Sequence, residues 1–144
     1  MTKRADVAAA ARQCTDVDLL INNAGIALWT GFLEPDSVEA ARSEMETNYY
    51  GPLLLSRAFA PVLAKNGGGA IVNMLSVLSW VAVPSGGTYS ASKAAAWSLT
   101  NWLRTALRKQ GTQVVGVHPG PVDTDMASDL TLPKVTPMDV VDKR

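Results

Sequence analysis

Two side chains able to transfer a proton, Tyr89 and Lys93, stand four residues apart where a helix is expected to begin. Side chains at this spacing project from one face of a helix, one turn apart. A phenol has an ordinary pKa of about 10, and a neighbouring ammonium lowers it by favouring the phenolate. The pair predicts a tyrosine that gives a proton to a carbonyl oxygen, or takes one from an alcohol. Taken alone, the same spacing is also common on the surface of ordinary helices.

Two further polar residues could serve the same chemistry. Ser76 ends a predicted strand 13 residues before Tyr89, and its hydroxyl could hold a substrate oxygen against the tyrosine. Asn48 precedes Gly51 and Pro52, where a kink is expected to free backbone groups and make room for an ordered water. Taken singly, each of these residues is more often a cap, a turn residue or a satisfied polar group of the core.

The middle of the chain carries no carboxylate. The formal net charge is zero, from 13 basic and 13 acidic residues, but no acidic residue lies between Glu46 and Asp123. The basic residues in this interval give it a charge of +6: Arg57, Lys65, Lys93, Arg104, Arg108 and Lys109. Lys93 is therefore expected to keep its charge available for Tyr89. Clustering of the acidic residues on the solvated helix at 34–46 explains the same pattern.

Composition excludes several classes of function. Zero net charge argues against a nucleic-acid or anionic-membrane binder, because both need a basic excess. With only one cysteine, Cys14, and one histidine, His118, no metal site is expected. The chain has no signal peptide pattern and no unbroken apolar run long enough to span a membrane. We therefore expect a cytoplasmic protein.

The alternation of apolar patterns predicts the elements that must position these residues. Short apolar runs predict strands at 17–23, 70–75 and 113–118. Helical periodicity predicts helices at 5–14, at 36–62 with a break near Gly51, and at 90–110. This order predicts an α/β fold in which a parallel sheet is covered by helices. Ligands of such sheets bind beyond the carboxyl ends of the strands, where 22–25, 73–76 and 118–124 fall.

Five ordered motifs together resemble the classical short-chain dehydrogenases/reductases. They are Asn22-Asn-Ala-Gly25, Asn48 with Gly51, Ile71-Val-Asn-Met-Leu-Ser76, Tyr89-Ser-Ala-Ser-Lys93 and Pro119-Gly-Pro-Val-Asp-Thr124. The motifs have the family's order and spacing and span about residues 17–126. The resemblance implies a Rossmann-type, doubly wound parallel sheet and hydride transfer between NAD or NADP and a small alcohol or carbonyl substrate.

The resemblance also implies a role for each motif residue. Tyr89 would be the general acid/base, Lys93 would lower its pKa and bind the nicotinamide ribose, and Ser76 would position the substrate oxygen. Asn48 would hold the water of a proton relay leading from Lys93 to solvent. The remaining cofactor-binding residues would be Asn22, Ala24 and Gly25 on the adenosine side and Pro119, Gly120, Val122 and Thr124 on the nicotinamide side. Helices at 53–63 and 97–107 resemble those through which family members pair, so a homo-oligomer is expected.

The chain departs from the family at its start. It lacks the Gly-rich Thr-Gly-x-x-x-Gly-x-Gly turn that receives the pyrophosphate at a helix N-terminus. The glycines at 67–69 end a helix and precede a strand, which is the reverse order. By this alignment, residues 1–144 form a single partial Rossmann domain with about strands four to six of the family's seven, truncated at both ends. The alternative function is a non-catalytic fragment or interaction module that does not bind a dinucleotide.

Several single residues have simpler expected places. Trp80, in the loop between Ser76 and Tyr89, could line a substrate pocket. His118 is expected in a structural turn rather than as a base, and Cys14 as an inert buried thiol. Trp97 and Trp102 should lie on different faces of their helix and make core or subunit contacts.

Overall fold

Three parallel strands and the helices that join them make up the fold of the computed structural model, which describes residues 2–142. The strands are β1 (Leu19–Asn22), β2 (Ala70–Met74) and β3 (Gln113–Val117), in the spatial order β1-β2-β3. The helices are α1 (Arg4–Gln13), α2 (Ser37–Met45), α3 (Gly51–Lys65), α4 (Gly87–Ala106) and α5 (Pro137–Asp142). The predicted α/β fold is confirmed, and all three predicted strands occur in it.

The register of the three strands aligns apolar side chains on one face of the sheet, where the core forms. Leu20 pairs with Ile71, and Ile71 pairs with Val114, so the three side chains form one row across the strands. This row packs against Leu63 of α3 and Leu103 of α4, which are 0% and 5% exposed. The two long helices, α3 and α4, therefore lie against the same face of the sheet. This packing fixes the position of α4 relative to the strands.

The other face of the sheet is open. Leu19 and Ile21 of β1 are 49% and 55% exposed, and Val115 of β3 is 43% exposed. Within residues 2–142, the predicted cover of helices is therefore found on one face of the sheet only. The apolar run that predicted β1 does not specify which of its alternating side chains meets a helix.

A π turn stands where the sequence predicted a break in the helix. Residues Glu46–Tyr50 form one π-helical turn between α2 and α3. Pro52 follows as one of the first residues of α3, and because a proline has no N–H it interrupts the helical hydrogen bonding at this junction. Asn48 lies within the π turn, and irregularities of this kind occur often at functional sites.

Glycines stand in two connections of the fold, at the amino end of β2 and at the start of α4. Gly67, Gly68 and Gly69 join α3 to β2, and all three have positive φ angles. A side chain on Gly69 would overlap the Asp18 carbonyl oxygen, so only glycine fits there. The predicted helix-to-strand turn is confirmed. Helix α4 begins at Gly87, three residues earlier than expected, and places Tyr89 within its first turn.

The chain after β3 is mostly irregular, as expected, with two features that the sequence did not predict. Val122 forms an isolated parallel bridge with Val135, and α5 follows. Cys14, which follows the last residue of α1, is exposed, so the expectation of a buried thiol is wrong. No helix within residues 2–142 is long and apolar enough to cross a bilayer.

Candidate active site

Lys93 lies at the carboxyl end of β2, under the loop that follows the strand. It is 5% exposed, and its Nζ donates a hydrogen bond to the carbonyl oxygen of Met74, the last residue of β2, at 2.8 Å. Burial lowers the pKa of Lys93 from 10.5 to about 8, because a desolvated ammonium loses its hydration. The group remains mostly charged at neutral pH and loses its charge slightly above it.

Tyr89 lies one turn before Lys93 and is also buried, at 6% exposure. The Lys93 Nζ lies 5.7 Å from the centre of the Tyr89 ring. Burial raises the pKa of Tyr89; its hydrogen bond with Ser76 acts in the opposite direction, and the charge of Glu44 raises it further. The expected net lowering by Lys93 is not found, because desolvation of the phenolate prevails. Tyr89 is held in its acid form.

Ser76 is fixed in place by a short capping turn. Its Oγ accepts a hydrogen bond from the backbone N–H of Leu78 at 3.1 Å, while the backbone N–H of Ser76 donates to Ser79 Oγ at 3.3 Å. This capping box begins the 3₁₀ turn Val77–Ser79 and leaves Ser76 8% exposed. The hydroxyl that interacts with Tyr89 is thus positioned by the local sequence that follows β2.

Asn48 fastens two parts of the site to each other. Its Oδ1 accepts from the Ile26 N–H at 2.9 Å, and its Nδ2 donates to the Ile26 carbonyl at 2.8 Å and to Ser92 Oγ at 2.9 Å. Ser92 Oγ in turn donates to the Tyr89 carbonyl at 2.7 Å. The side chain is 2% exposed. Asn48 therefore holds the loop after β1 against the first turns of α4.

Of the motif at residues 22–25, Gly25 lies closest to Asn48 and Lys93. A Cβ at position 25 would lie 3.1 Å from Asn48 Oδ1 and 3.4 Å from Lys93 Nζ. Ala24 is exposed beside it. Asn22 is 4% exposed, and its Nδ2 donates to Asn73 Oδ1 at 2.7 Å across the strands. The side chain of Asn22 therefore links β1 to β2 inside the sheet. Gly25, which has no side chain, leaves open space beside the Lys93 ammonium.

The loop after β3 reaches the site through Pro119, two residues after the end of the strand. The Pro119 carbonyl accepts from the Val77 N–H at 3.0 Å, which sets this loop beside the turn that carries Ser76. Val122 is held by its bridge to Val135. Gly120 and Thr124 are exposed, and a Cβ on Gly120 would meet nothing within 4 Å. The structure thus places Pro119 in the cluster and Gly120 and Thr124 on its rim.

Two residues of the site were not found from the sequence. Trp29 packs on Tyr89 with ring centres 5.5 Å apart, and its Nε1 donates to the Met126 carbonyl at 3.4 Å. Glu44 is fully buried on α2 and accepts from the Leu28 N–H through Oε1 at 2.7 Å. A possible signal for Glu44 is its position four residues before Asn48, on the same helical path.

Three aromatic rings form a second cluster beside Ser76. Trp80 stacks on His118 with ring centres 4.1 Å apart at 20°, and Trp97 meets both rings edge-on. The His118 Nδ1 lies 3.1 Å from the Ser76 carbonyl, which requires the proton on Nδ1. His118 therefore has a structural place, as expected. Trp80 is 55% exposed. No group of three or more metal-ligating side chains occurs in the part of the chain that the structure describes.

The chain is similar in sequence to known dehydrogenases and reductases. A family model described as short chain dehydrogenase matches residues 1–134. Dehydrogenase/reductase SDR family member 7B of Xenopus tropicalis is 38% identical over 111 residues, which are 77% of this chain and 36% of that protein. An uncharacterized oxidoreductase of Staphylococcus saprophyticus is 35% identical over 113 residues, which are 78% of this chain and 48% of that protein.

Solved structures agree with this comparison. A short chain dehydrogenase from Burkholderia cenocepacia in complex with NADP superposes with a TM-score of 0.90 at 47% identity, over 94% of this chain and 56% of that one. One from Sphingobium yanoikuyae in complex with NADPH gives 0.86 at 31% identity, over 96% and 56%. The chain spans about half the length of these structures and a third to a half of the curated relatives above. By the family model and the fold, the chain belongs to the short chain dehydrogenase family.

Proposed function

We propose that this chain carries the proton-transfer site of an NAD(P)-dependent oxidoreductase that interconverts an alcohol and a carbonyl compound. The observation that carries the proposal is the meeting of Ser76, Tyr89 and Lys93 at the carboxyl end of β2, where Lys93 is fixed by the Met74 carbonyl. The family and the NADP and NADPH complexes of its relatives support the cofactor class.

The residues present fit the nicotinamide end of such a cofactor. Gly25 leaves open the space that a side chain would fill beside Lys93 and Asn48. The Lys93 ammonium has three donors and gives one to Met74, so two remain for ribose hydroxyls. Pro119 and Val122 would line the nicotinamide, with Gly120 and Thr124 on the rim. Asn22, Ala24 and Gly25 would contact the adenosine side mainly through backbone and small side chains.

The pyrophosphate has no matching cradle among residues 2–142. The glycines at 67–69 connect a helix to a strand, whereas a phosphate cradle needs a strand followed by a helix N-terminus. The proposal for this chain therefore covers proton transfer and the contacts to the nicotinamide, its ribose and the adenosine side, without the pyrophosphate.

The mechanism of reduction follows from the protonation states of the site. The nicotinamide, when bound, supplies or accepts the hydride. Burial holds Tyr89 as the phenol, so Tyr89 can give its proton to a carbonyl oxygen that becomes an alcohol. The Ser76 hydroxyl, fixed by its capping turn, would hold that oxygen at the phenol. The nearby Lys93 ammonium would stabilise the phenolate that remains after the transfer.

Alcohol oxidation would use the same groups in reverse. Tyr89 must then lose its proton first, and the proposal includes a relay from Lys93 to solvent through a water near Asn48. The low pKa of Lys93, about 8, suits a group that passes a proton near neutral pH. Asn48 supports the relay by holding Ile26 and Ser92 in place.

We also propose that a second copy of this chain is its partner. A groove of about 1070 Å³ lies between α3 and α4, lined mainly by apolar side chains that include Leu53 and Leu99. Trp102 borders it and is 67% exposed. An apolar groove with an exposed tryptophan on its border is the composition expected of a subunit contact.

Titration with NADPH and with NADH tests the proposed function. Nicotinamide fluorescence should change saturably with wild-type chain. Lys93→Met should weaken binding because it removes the ribose donors, whereas Lys109→Met, which removes an exposed lysine, should bind like wild type. Absence of binding by wild type, or equal binding by Lys93→Met, would contradict the proposal for this chain.

A non-catalytic interaction module is the second candidate function. It is favoured by the open face of the sheet, where Leu19, Ile21 and Val115 are half exposed. The same titration separates the two candidates, because such a module would bind neither NADPH nor NADH.

A further inference from the structure

The loop between β1 and α2 is fastened at Ile26 and at Leu28 by side chains of the helical segment that follows it. Asn48 binds both backbone groups of Ile26, at 2.9 and 2.8 Å. Glu44, four residues earlier, accepts from the Leu28 N–H at 2.7 Å. The two side chains together hold the path of the loop as it enters Trp29.

Trp29 needs such support because of its backbone. Its φ angle is +53°, in the left-handed region, which costs a non-glycine residue about 1–2 kcal/mol. The next residue is held from the other side, because the Thr30 carbonyl accepts from the N–H and the hydroxyl of Thr88 at 3.3 and 3.2 Å. Leu28 and Thr30 thus clamp Trp29, and the indole is set on the Tyr89 ring.

Glu44 is an unexpected residue for a merely structural fastening. The side chain is 0% exposed, and its second oxygen, Oε2, is buried and has no hydrogen-bond partner within residues 2–142. A buried carboxyl group with an unpaired oxygen is costly. A glutamine could also accept from Leu28, and although its NH2 would then be unpaired, it would not bury a charge, so the fastening alone does not explain the acidic residue.

We propose that Glu44 is a positioning residue for Tyr89, which fastens Leu28 so that Trp29 covers the phenol ring. Its carboxylate charge also disfavours the phenolate of Tyr89. The proposal deepens the proposed function and rests on it for its catalytic meaning. The contact of Trp29 with Tyr89 and the effect of the Glu44 charge on Tyr89 are both expected in the chain without a cofactor.

The charged groups around Tyr89 agree with this assignment. Lys93 faces it from α4 and Glu44 acts on it from α2, while the loops that carry Ser76 and Trp29 contribute a hydroxyl and an indole. His118, at the end of β3, stacks on Trp80 and binds the Ser76 carbonyl. Burial is the first cause of the raised pKa of Tyr89, and the charge of Glu44 adds to it.

The ionisation of Tyr89 in the free chain tests the proposal. Phenolate absorbance is recorded after a rapid pH jump, and the signal of Tyr89→Phe is subtracted to remove the other two tyrosines. Glu44→Gln keeps the acceptor for Leu28 and removes the charge, so the pKa of Tyr89 should fall measurably below its wild-type value. Glu46→Gln removes an exposed charge two residues away and should leave the titration unchanged. An unchanged pKa in Glu44→Gln overturns the proposal.

A second variant tests the other half of the proposal, the cover that Trp29 gives to Tyr89, and can overturn it even if Glu44→Gln fails to fold. Trp29→Leu removes the indole and leaves Glu44 in place, so Tyr89 becomes more exposed and its pKa should fall toward 10. A Trp29→Leu chain with the wild-type Tyr89 titration would show that Trp29 does not cover the phenol. Neither measurement uses a cofactor, so failure of the NADPH titration and failure of this proposal are separate results.

Discussion

Lys93 should make the stability of the folded chain rise with pH in a window where most proteins lose stability. The perturbation is Lys93→Met, which removes the buried amine and keeps a side chain of similar length. In the folded chain the pKa of Lys93 is about 8, against an ordinary value of 10.5. The unfolded chain therefore binds more protons than the folded chain between these values, and the free energy of unfolding increases with pH across that window.

The magnitude follows from the two pKa values. Each unit of difference corresponds to 1.36 kcal/mol, so the full effect is about 3 kcal/mol once pH exceeds 10.5. Between pH 7 and pH 9.5 the wild-type chain should gain about 2 kcal/mol relative to Lys93→Met. Lys93 is 5% exposed, so solvent screening does not reduce this figure strongly.

Urea denaturation followed by circular dichroism measures the effect, with wild type, Lys93→Met and Lys109→Met compared at each pH. The difference between wild type and Lys93→Met cancels the other titrating groups. The same difference for Lys109→Met should stay flat, because that lysine is exposed. Parallel pH curves for wild type and Lys93→Met would refute the reasoning that Lys93 is desolvated in the fold.

Other features of the structure give further expected outcomes. Gly69→Ala should destabilise the chain by about 1–3 kcal/mol more than Gly67→Ala in urea titrations, because both have positive φ but only Gly69 meets the Asp18 backbone; equal losses would contradict this. Trp102→Asp should abolish self-association in sedimentation velocity, whereas Leu33→Asp, at a fully exposed position outside the groove, should not; association that survives Trp102→Asp excludes the α3–α4 groove as the contact. Cys14 should react with a thiol reagent in the folded chain as fast as in urea, since it is exposed; strong protection in the fold would contradict its placement.

The sequence was sufficient for the strands and for most of the site. Short apolar runs bounded by turn residues predicted β1, β2 and β3 to within two residues, because such runs reflect local burial. The motif residues Ser76, Tyr89 and Lys93 converge because parallel strands and the helices between them bring their ends to one edge.

The remaining features depend on contacts between distant parts of the chain. Glu44 has the same charge as the exposed Glu39 and Glu46, and only its partner Leu28, 16 residues away, distinguishes it. The spacing of Tyr89 and Lys93 predicted a cation near the phenol. It did not predict how strongly burial desolvates that phenol and raises its pKa. The open face of the sheet was not predicted for a similar reason. The sequence of an apolar strand does not indicate which of its two faces a helix covers.

The rate of carbonyl reduction by Tyr89→Phe, followed as loss of NADPH absorbance with a panel of aldehydes and ketones, tests most directly whether Tyr89 is the proton donor. The account predicts that wild type turns over and that Tyr89→Phe loses about 10²–10⁴-fold in rate with NADPH affinity unchanged, because only the proton donor is removed. A Tyr89→Phe chain that reduces carbonyls at the wild-type rate, or a wild-type chain that binds NADPH and reduces none of them, would contradict the assignment of Tyr89 as the acid.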